Sequence, residues 1–270
     1  MKLSQITETP FWKTILGFIM NLSQVTDTQF WKSIFRHKFE DTPRNRSLSV
    51  TSNVFLHLHP IKVDRDAIKF RFTFCLGGLS LFTFIVETIT GVLLMLYYRP
   101  VPEYAYMDIK LLEHTVLFGQ FLRNMHRWAA HAMVILVMLH MLRVFLTGSY
   151  KPPREFNWVV GVMLLVITLL LSFTGYLLPW DQIAFWAITV GSKMAAATPF
   201  LGVDGPFHQF FNITDFNDMK YVLLGDSEVG GNALLRFYVL HCVILPLACG
   251  LLIFVHFWRI RKDGGISRPL

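Results

Sequence analysis

Charge is what this sequence holds least of. Only 16% of its 270 residues are charged while 53% are hydrophobic, a balance that excludes an ordinary soluble domain of this length and points to residence in a membrane. Cysteine is nearly absent. Cys75, Cys242 and Cys249 form no CxxC, CxxCH or zinc pattern, so redox-dithiol, haem-attachment-box and zinc-site readings lack their signatures. Two of the three fall in an apolar run and read as small buried hydrophobes. The first 70 residues lack any apolar stretch near spanning length, the longest being ILGFIM, and no cleavable signal peptide is expected.

Against that background stand four long, almost uncharged runs: roughly Phe72 to Tyr98, Thr115 to Leu146, Trp158 to Leu178, and Leu234 to Trp258. Each meets the ~20 apolar residues a helix needs to cross a bilayer. Four spans return both termini to one side. That side carries 18 of the 25 Lys and Arg, eleven of them in residues 1–71, then Arg143, Lys151, Arg154, Arg259, Arg261, Lys262 and Arg268. By the positive-inside rule it is the cytoplasmic, negative side. The net charge of +7 is thereby a topology signal, and no nucleic-acid partner is expected.

Residues 1–69 read as an extension on that side. They contain a near repeat, TETPFWKTI (Thr7 to Ile15) and TDTQFWKSI (Thr26 to Ile34), whose Thr9-Pro10 suits an N-cap and first helical position. Its Phe-Trp-Lys composition suits helices lying in the headgroup layer. A duplicated polar tail is the alternative. Between the second and third spans, GSYKPPREFN is a short basic turn. The third and fourth are joined by the long stretch Pro179 to Ala233, holding PWDQ and the acid-bearing NITDFNDMKYVLLGDSEVGG. It must lie outside hydrocarbon or be shielded by protein.

Histidine carries the chemistry. The second span has His126, His131 and His140, the fourth His241 and His256. Separations of 14 and 15 bracket the ~14.4 residues of four helical turns, so each outer pair shares a face, spread along about 21 Å of axis. The two spans enter from the same side and run parallel, which sets His126 level with His241 and His140 level with His256. Two levels of two facing imidazoles are what bis-histidine haem ligation requires. Merely hydrogen-bonded histidines are the alternative. His131 lies about 140° round the helix from His126 and is read as structural.

The other two spans repeat the 14-residue period in glycine: Gly77 and Gly91, then Gly161 and Gly175. Glycine admits close approach of a flat ligand, and these are read as haem-clearance positions, with ordinary helix packing or hinges as the alternative. Arg123 and Arg127 at one end of the second span, Arg143 and Arg154 at the other, and Arg261 beyond His256 stand where haem propionates would need partners. Snorkelling and topology would place some of them equally well.

The stretches NMHRWAAHAMVILVMLHMLRVFLTG, PREFNWVVGV, TGYLLPWDQ and RFYVLHCVILPLACGLLIFVHFWRIRKDGGISRPL resemble cytochrome b, most closely the b6 type of the b6f and related Rieske/cytochrome b complexes. The resemblance covers Phe70 to Leu270. It implies an all-α integral membrane four-helix bundle with two stacked bis-histidine haems b, preceded by interfacial helix or helices in residues 1–69. It implies an electron-transfer subunit of a quinol-oxidising complex in an energy-transducing membrane. Quinol would be oxidised near Pro179, Trp180, Asp181 and Gln182, and electrons would pass from the His126/His241 haem to the His140/His256 haem and on to a quinone. It implies a subunit-IV-like partner supplying the remaining helices, since the sequence ends after GGISRPL, with a Rieske iron–sulfur protein, a c-type cytochrome, membrane lipid and a homodimeric complex. Cys75, in FTFCLGG, falls where this family holds a third haem, haem c, by one thioether bond; a plain buried thiol is the alternative.

Two features depart from the family. Glu87 stands mid-span where glutamine is usual, and it is expected to be protonated and to donate a hydrogen bond, or else to relay protons. The extension before residue 60 and the connection after PWDQ are both enlarged. A dihaem anchor of a dehydrogenase or hydrogenase would use membrane histidines too, but would not bring the paired glycines together with PWDQ. A transporter or non-catalytic scaffold would show broken spans or several mid-span ionisable residues.

Overall fold

The computed structural model describes residues 41–52, 65 and 69–266. Both copies of the Phe-Trp-Lys repeat lie outside the described residues. The chain divides into two compact units, Met1–His57 and Leu58–Leu270. In the first, α1 (Pro43–Ser52) shows no apolar face. The second is all-helical among its described residues: α2 (Phe70–Thr73), α3 (Leu76–Met95), α4 (Pro102–His114), α5 (Gly119–Leu146), α6 (Glu155–Leu177), α7 (Gln182–Ala196), a 3-10 turn (His208–Phe211), α8 (Met219–Leu224), α9 (Gly231–Val239), a π turn (Leu240–Ile244) and α10 (Leu245–Lys262).

The four expected spans are α3, α5, α6 and the continuous stretch Gly231–Lys262 that joins α9 to α10. Buried threonines of the spans find acceptors on their own helices, as hydrocarbon favours. Thr90, Thr168 and Thr174 donate to the carbonyls four residues earlier, Val86, Leu164 and Leu170. The sides that carry Phe82, Ile89, Leu142, Val166 and Leu251 are exposed, which is the surface lipid covers. The chain is an integral membrane protein.

Two spans differ from their expected limits for local reasons. The first begins at Leu76, because Phe74 and Cys75 are both left-handed, with φ of 49° and 53°, and break α2 from α3. The second begins at Gly119, after left-handed Phe118. Two further helices fill the connections. Pro102 opens α4 at a position where its missing N–H costs nothing. The backbone N–H, Nε and Nη2 of Arg99 all donate to the Asp108 carboxylate, at 3.0, 2.9 and 2.6 Å. These bonds pin α4 to the end of α3 and hold the Asp108 carboxyl below the usual carboxylate range.

Asp181 and Asp218 open α7 and α8 by accepting from Ala184 N and Tyr221 N. The two helices close over the adjacent ends of α6 and α9 through Leu177, Ile188, Leu224, Ala233 and Phe237. Of the long helices, α3 packs on α5 and α6 on α10, whereas α5 and α10 are not closely packed against each other.

Candidate cofactor site in the bundle core

The gap between α5 and α10 is where the histidines meet. His126 and His241 face each other with ring centroids 6.2 Å apart and planes at 80°, and His140 and His256 do so at 6.4 Å and 78°. Metal–imidazole bonds of about 2 Å and about 1.1 Å from nitrogen to ring centre would put two trans imidazoles across one ion with centroids about 6 Å apart. Both levels fit. His131 is elsewhere, 3.4 Å from Tyr176 Oη and edge-on to Trp128, tying α5 to α6.

At the His126/His241 level, threonines fix which nitrogen is left for a ligand. Thr90 Oγ1 lies 2.9 Å from His126 Nδ1, and Thr174 Oγ1 lies 3.2 Å from His241 Nδ1. Both hydroxyls already donate along their own helices, so they accept from Nδ1–H. The Leu171 carbonyl, 3.1 Å from His241 Nδ1, accepts as well. The carbonyl puts the His241 proton on Nδ1 and leaves its Nε2 lone pair for a ligand, and Thr90 is placed to favour the same tautomer at His126, the arrangement metal-bound histidines adopt. Sequence reading missed both threonines. Their signal was present: a Thr-Gly dipeptide in each of α3 and α6, Thr90-Gly91 and Thr174-Gly175.

The four glycines each front one histidine. A Cβ added at Gly77 would come within 3.2 Å of His140 Cε1, at Gly91 within 3.2 Å of His126 Cε1, at Gly161 within 3.8 Å of His256 Cε1, and at Gly175 within 2.6 Å of His241 Cε1. The 14-residue period on α3 and α6 thus answers the histidine period on the helix each packs against.

The unequal histidine spacings are reconciled by backbone. Fourteen α-helical residues stop about 40° short of four turns and fifteen overshoot by about 60°, so two regular helices would disagree by about 100°. The π turn Leu240–Ile244, closed by Leu245 N–H on the Leu240 carbonyl, takes up the extra residue. His241 sits within it.

Comparisons with known proteins give the family. Residues 65–264 match the family described as Cytochrome b/b6/petB. The chain belongs to the cytochrome b family. It is 44% identical over 197 residues to cytochrome b6 of Heliobacterium mobile, covering 73% of this chain and 85% of that one. It is 41% identical over 197 residues to cytochrome b6 of Synechocystis sp., covering 73% and 82%. Among solved structures it resembles a chain of a hyperthermophilic respiratory Complex III, with TM-score 0.68 and 26% identity, over 85% of this chain and 55% of that one. It is the electron-transferring cytochrome b subunit of a bc1/b6f-type quinol oxidoreductase, a multi-subunit membrane complex, and the family implies haem b.

For a cytochrome b, the remaining candidates divide by their partners. Arg143 Nη2 and Arg154 Nε are buried without a hydrogen-bond partner among the described residues. Arg143 otherwise lies over the Phe72 ring at 4.2 Å, and Arg154 Nη2 reaches the Asp263 and Gly265 carbonyls at 3.3 and 3.4 Å. Arg123 is paired with Glu113, Arg127 is exposed, and Arg261 is half-buried at the end of α10. Cys75 is the exposed N-cap of α3, two residues before the glycine that fronts His140. In PWDQ, Trp180 is left-handed with φ of 51°, Asp181 caps α7, and Gln182 Oε1 accepts from Trp186 Nε1 at 3.2 Å. Glu87 Oε2 lies 3.0 Å from His126 Nδ1. This sets the mid-span acid beside the ring of a candidate ligand.

Glycine clearance sets a graded expectation. Gly175→Ala drives a Cβ into the His241 ring, the overpacking that costs about 1–3 kcal/mol, and should lower both haem content at that level and the thermal midpoint of the complex. Gly161→Ala meets only the flexible Met141 Sδ at 3.6 Å first and should change neither. Haem spectra and thermal melts of the two variants side by side check this.

Proposed function

We propose that His126 and His241 hold the iron of a positive-side haem b, and His140 and His256 that of a negative-side haem b. The observation that carries this is the pair of imidazole couples at 6.2 and 6.4 Å, stacked along the gap between two helices that do not close on each other. When bound, the haems supply two one-electron centres at different depths in the membrane. The chain's residues do the rest. The four rings present Nε2, Thr90 and Thr174 hold two of them by Nδ1, and Gly77, Gly91 and Gly175 leave their rings room, with Gly161 facing the fourth at ordinary contact distance. The unpartnered donors of Arg143 and Arg154 suit propionates on the negative side, with Arg261 just past His256 and with Arg123 and Arg127 at the other end.

In this reading residues 70–270 form the haem domain, residues 1–69 are an extension on the negative side, and both termini lie there. Cys75 binds a third haem, haem c, by a single thioether; its exposure at the head of α3, at the depth of the His140 level, supports this. Pro179 to Gln182 border the quinol-oxidation site on the positive side, where left-handed Trp180 and the Asp181 cap fix the turn from α6 into α7. A quinone accepts electrons on the negative side. The partners are a subunit-IV-like protein, a Rieske iron–sulfur protein and a c-type cytochrome, in a homodimeric complex.

A reduced-minus-oxidised spectrum of the purified complex is expected to show two b-type centres of different potential. Haem staining after denaturing electrophoresis is expected to mark this chain and to vanish in Cys75→Ala. Absence of b-type haem would sink the ligand assignment, and staining that survives Cys75→Ala would sink the thioether alone.

A further inference from the structure

The surroundings of the two positive-side histidines differ at one equivalent position. Three residues before Thr174 on α6 stands Leu171, which offers His241 Nδ1 a backbone carbonyl at 3.1 Å. Three residues before Thr90 on α3 stands Glu87, which offers His126 Nδ1 a side-chain oxygen, Oε2, at 3.0 Å. Thr90 Oγ1 approaches the same nitrogen at 2.9 Å and gives its own proton to Val86 O at 2.7 Å. The Glu87 side chain is only 15% exposed, and its second oxygen, Oε1, is buried without a partner among the described residues. On the negative side, His256 Nδ1 has no hydrogen-bond partner among them at all. A carboxyl group therefore stands beside Nδ1 of His126, where His241 has a backbone carbonyl.

We propose that Glu87 is a positioning residue for His126, fixing the plane of that ring through Nδ1 and raising its basicity, so that the positive-side haem is tuned apart from the negative-side one. This rests on the haem assignment above. Glu87 has the geometry for it: side chains at positions 87, 90 and 91 share one face of α3, and Gly91 brings that face up to the ring. An acceptor on Nδ1–H pushes electron density toward Nε2, which favours the oxidised metal, and such outer partners also set ring orientation. Glutamine at 87 would keep an oxygen acceptor at the same reach. Leucine would remove it, and aspartate would keep the acid but withdraw it by one methylene.

The test is potentiometric titration of the intact complex, with low-temperature EPR of the oxidised haems as the reporter of ring orientation. Glu87→Leu is expected to raise the positive-side midpoint and alter its EPR signal, with the negative-side centre unmoved in the same sample. Glu87→Gln is expected to stay close to the parent in EPR. If Glu87→Leu does not accumulate, Glu87→Asp gives the same reading, shifting with Leu although the carboxyl is retained. Unchanged potential and signal in Leu or Asp, or equal shifts of both centres, would overturn the proposal. A parent complex without b-type haem would instead overturn the assignment on which it stands.

Discussion

Replacing His241 by leucine is expected to remove the positive-side haem and leave the negative-side one spectrally intact. The side chains are similar in bulk, so the fourth span should still pack through Leu234, Phe237 and Cys249, all buried. What disappears is one of the two imidazoles that would hold the iron at that level, with the contacts of its Nδ1 with Thr174 and the Leu171 carbonyl. An iron left with His126 alone at that level loses its second protein ligand, while His140 and His256, about 21 Å along the axis, keep theirs. Bound haem b, measured as pyridine haemochrome per chain, should fall by about half, since metal affinity resides in the full ligand set. The lost component should be the same one lost in His126→Leu. Equal depletion of both centres by either variant would show that the levels are not paired as the rings suggest.

Much of this site could be read from the sequence because membrane helices leave few degrees of freedom. Span length is set by bilayer thickness, and a regular helix converts residue spacing directly into depth and face. His126, His140, His241 and His256 therefore announce their levels, and the four glycines announce theirs. Sequence reading stops where a partner is not periodic. Thr90 and Thr174 read as ordinary small polar residues of a span, because a hydroxyl that bonds its own backbone looks the same whether or not it also accepts from an imidazole. The glycines were read as room for a flat macrocycle, and in the structure they also make room for the imidazoles. α4 and α7 escape sequence reading because, at 13 and 15 residues, they fall short of the length that marks a span; what fixes them is Pro102, the Arg99–Asp108 pair and the Asp181 cap, each a single local event. Glu87 stands out in the sequence as a mid-span acid, but only the structure sets it against His126.

Deleting one residue from the π turn is expected to leave both haems in place, whereas deleting one from the regular helix between His126 and His140 is expected to remove one. The ligands are 15 positions apart in the fourth span and 14 apart in α5, yet both present their rings to the same gap. The difference is absorbed locally, by the i to i−5 closure of Leu245 on Leu240. Deleting Val243, whose side chain is 43% exposed, should let the turn relax to α-helix with the 14-residue spacing that α5 already uses. No comparable slack exists in α5, which is α-helical from Gly119 to Leu146. Deleting Ile135, also an exposed side chain at 59%, rotates His140 about 100° and shifts it about 1.5 Å relative to His126. One of the two rings must then leave the gap, and bound haem b should fall by about half, as for a lost ligand. The two deletions remove one exposed apolar residue each, so general damage to a span predicts equal losses. Only a register carried by the π turn predicts that the Val243 deletion is silent and the Ile135 deletion is not.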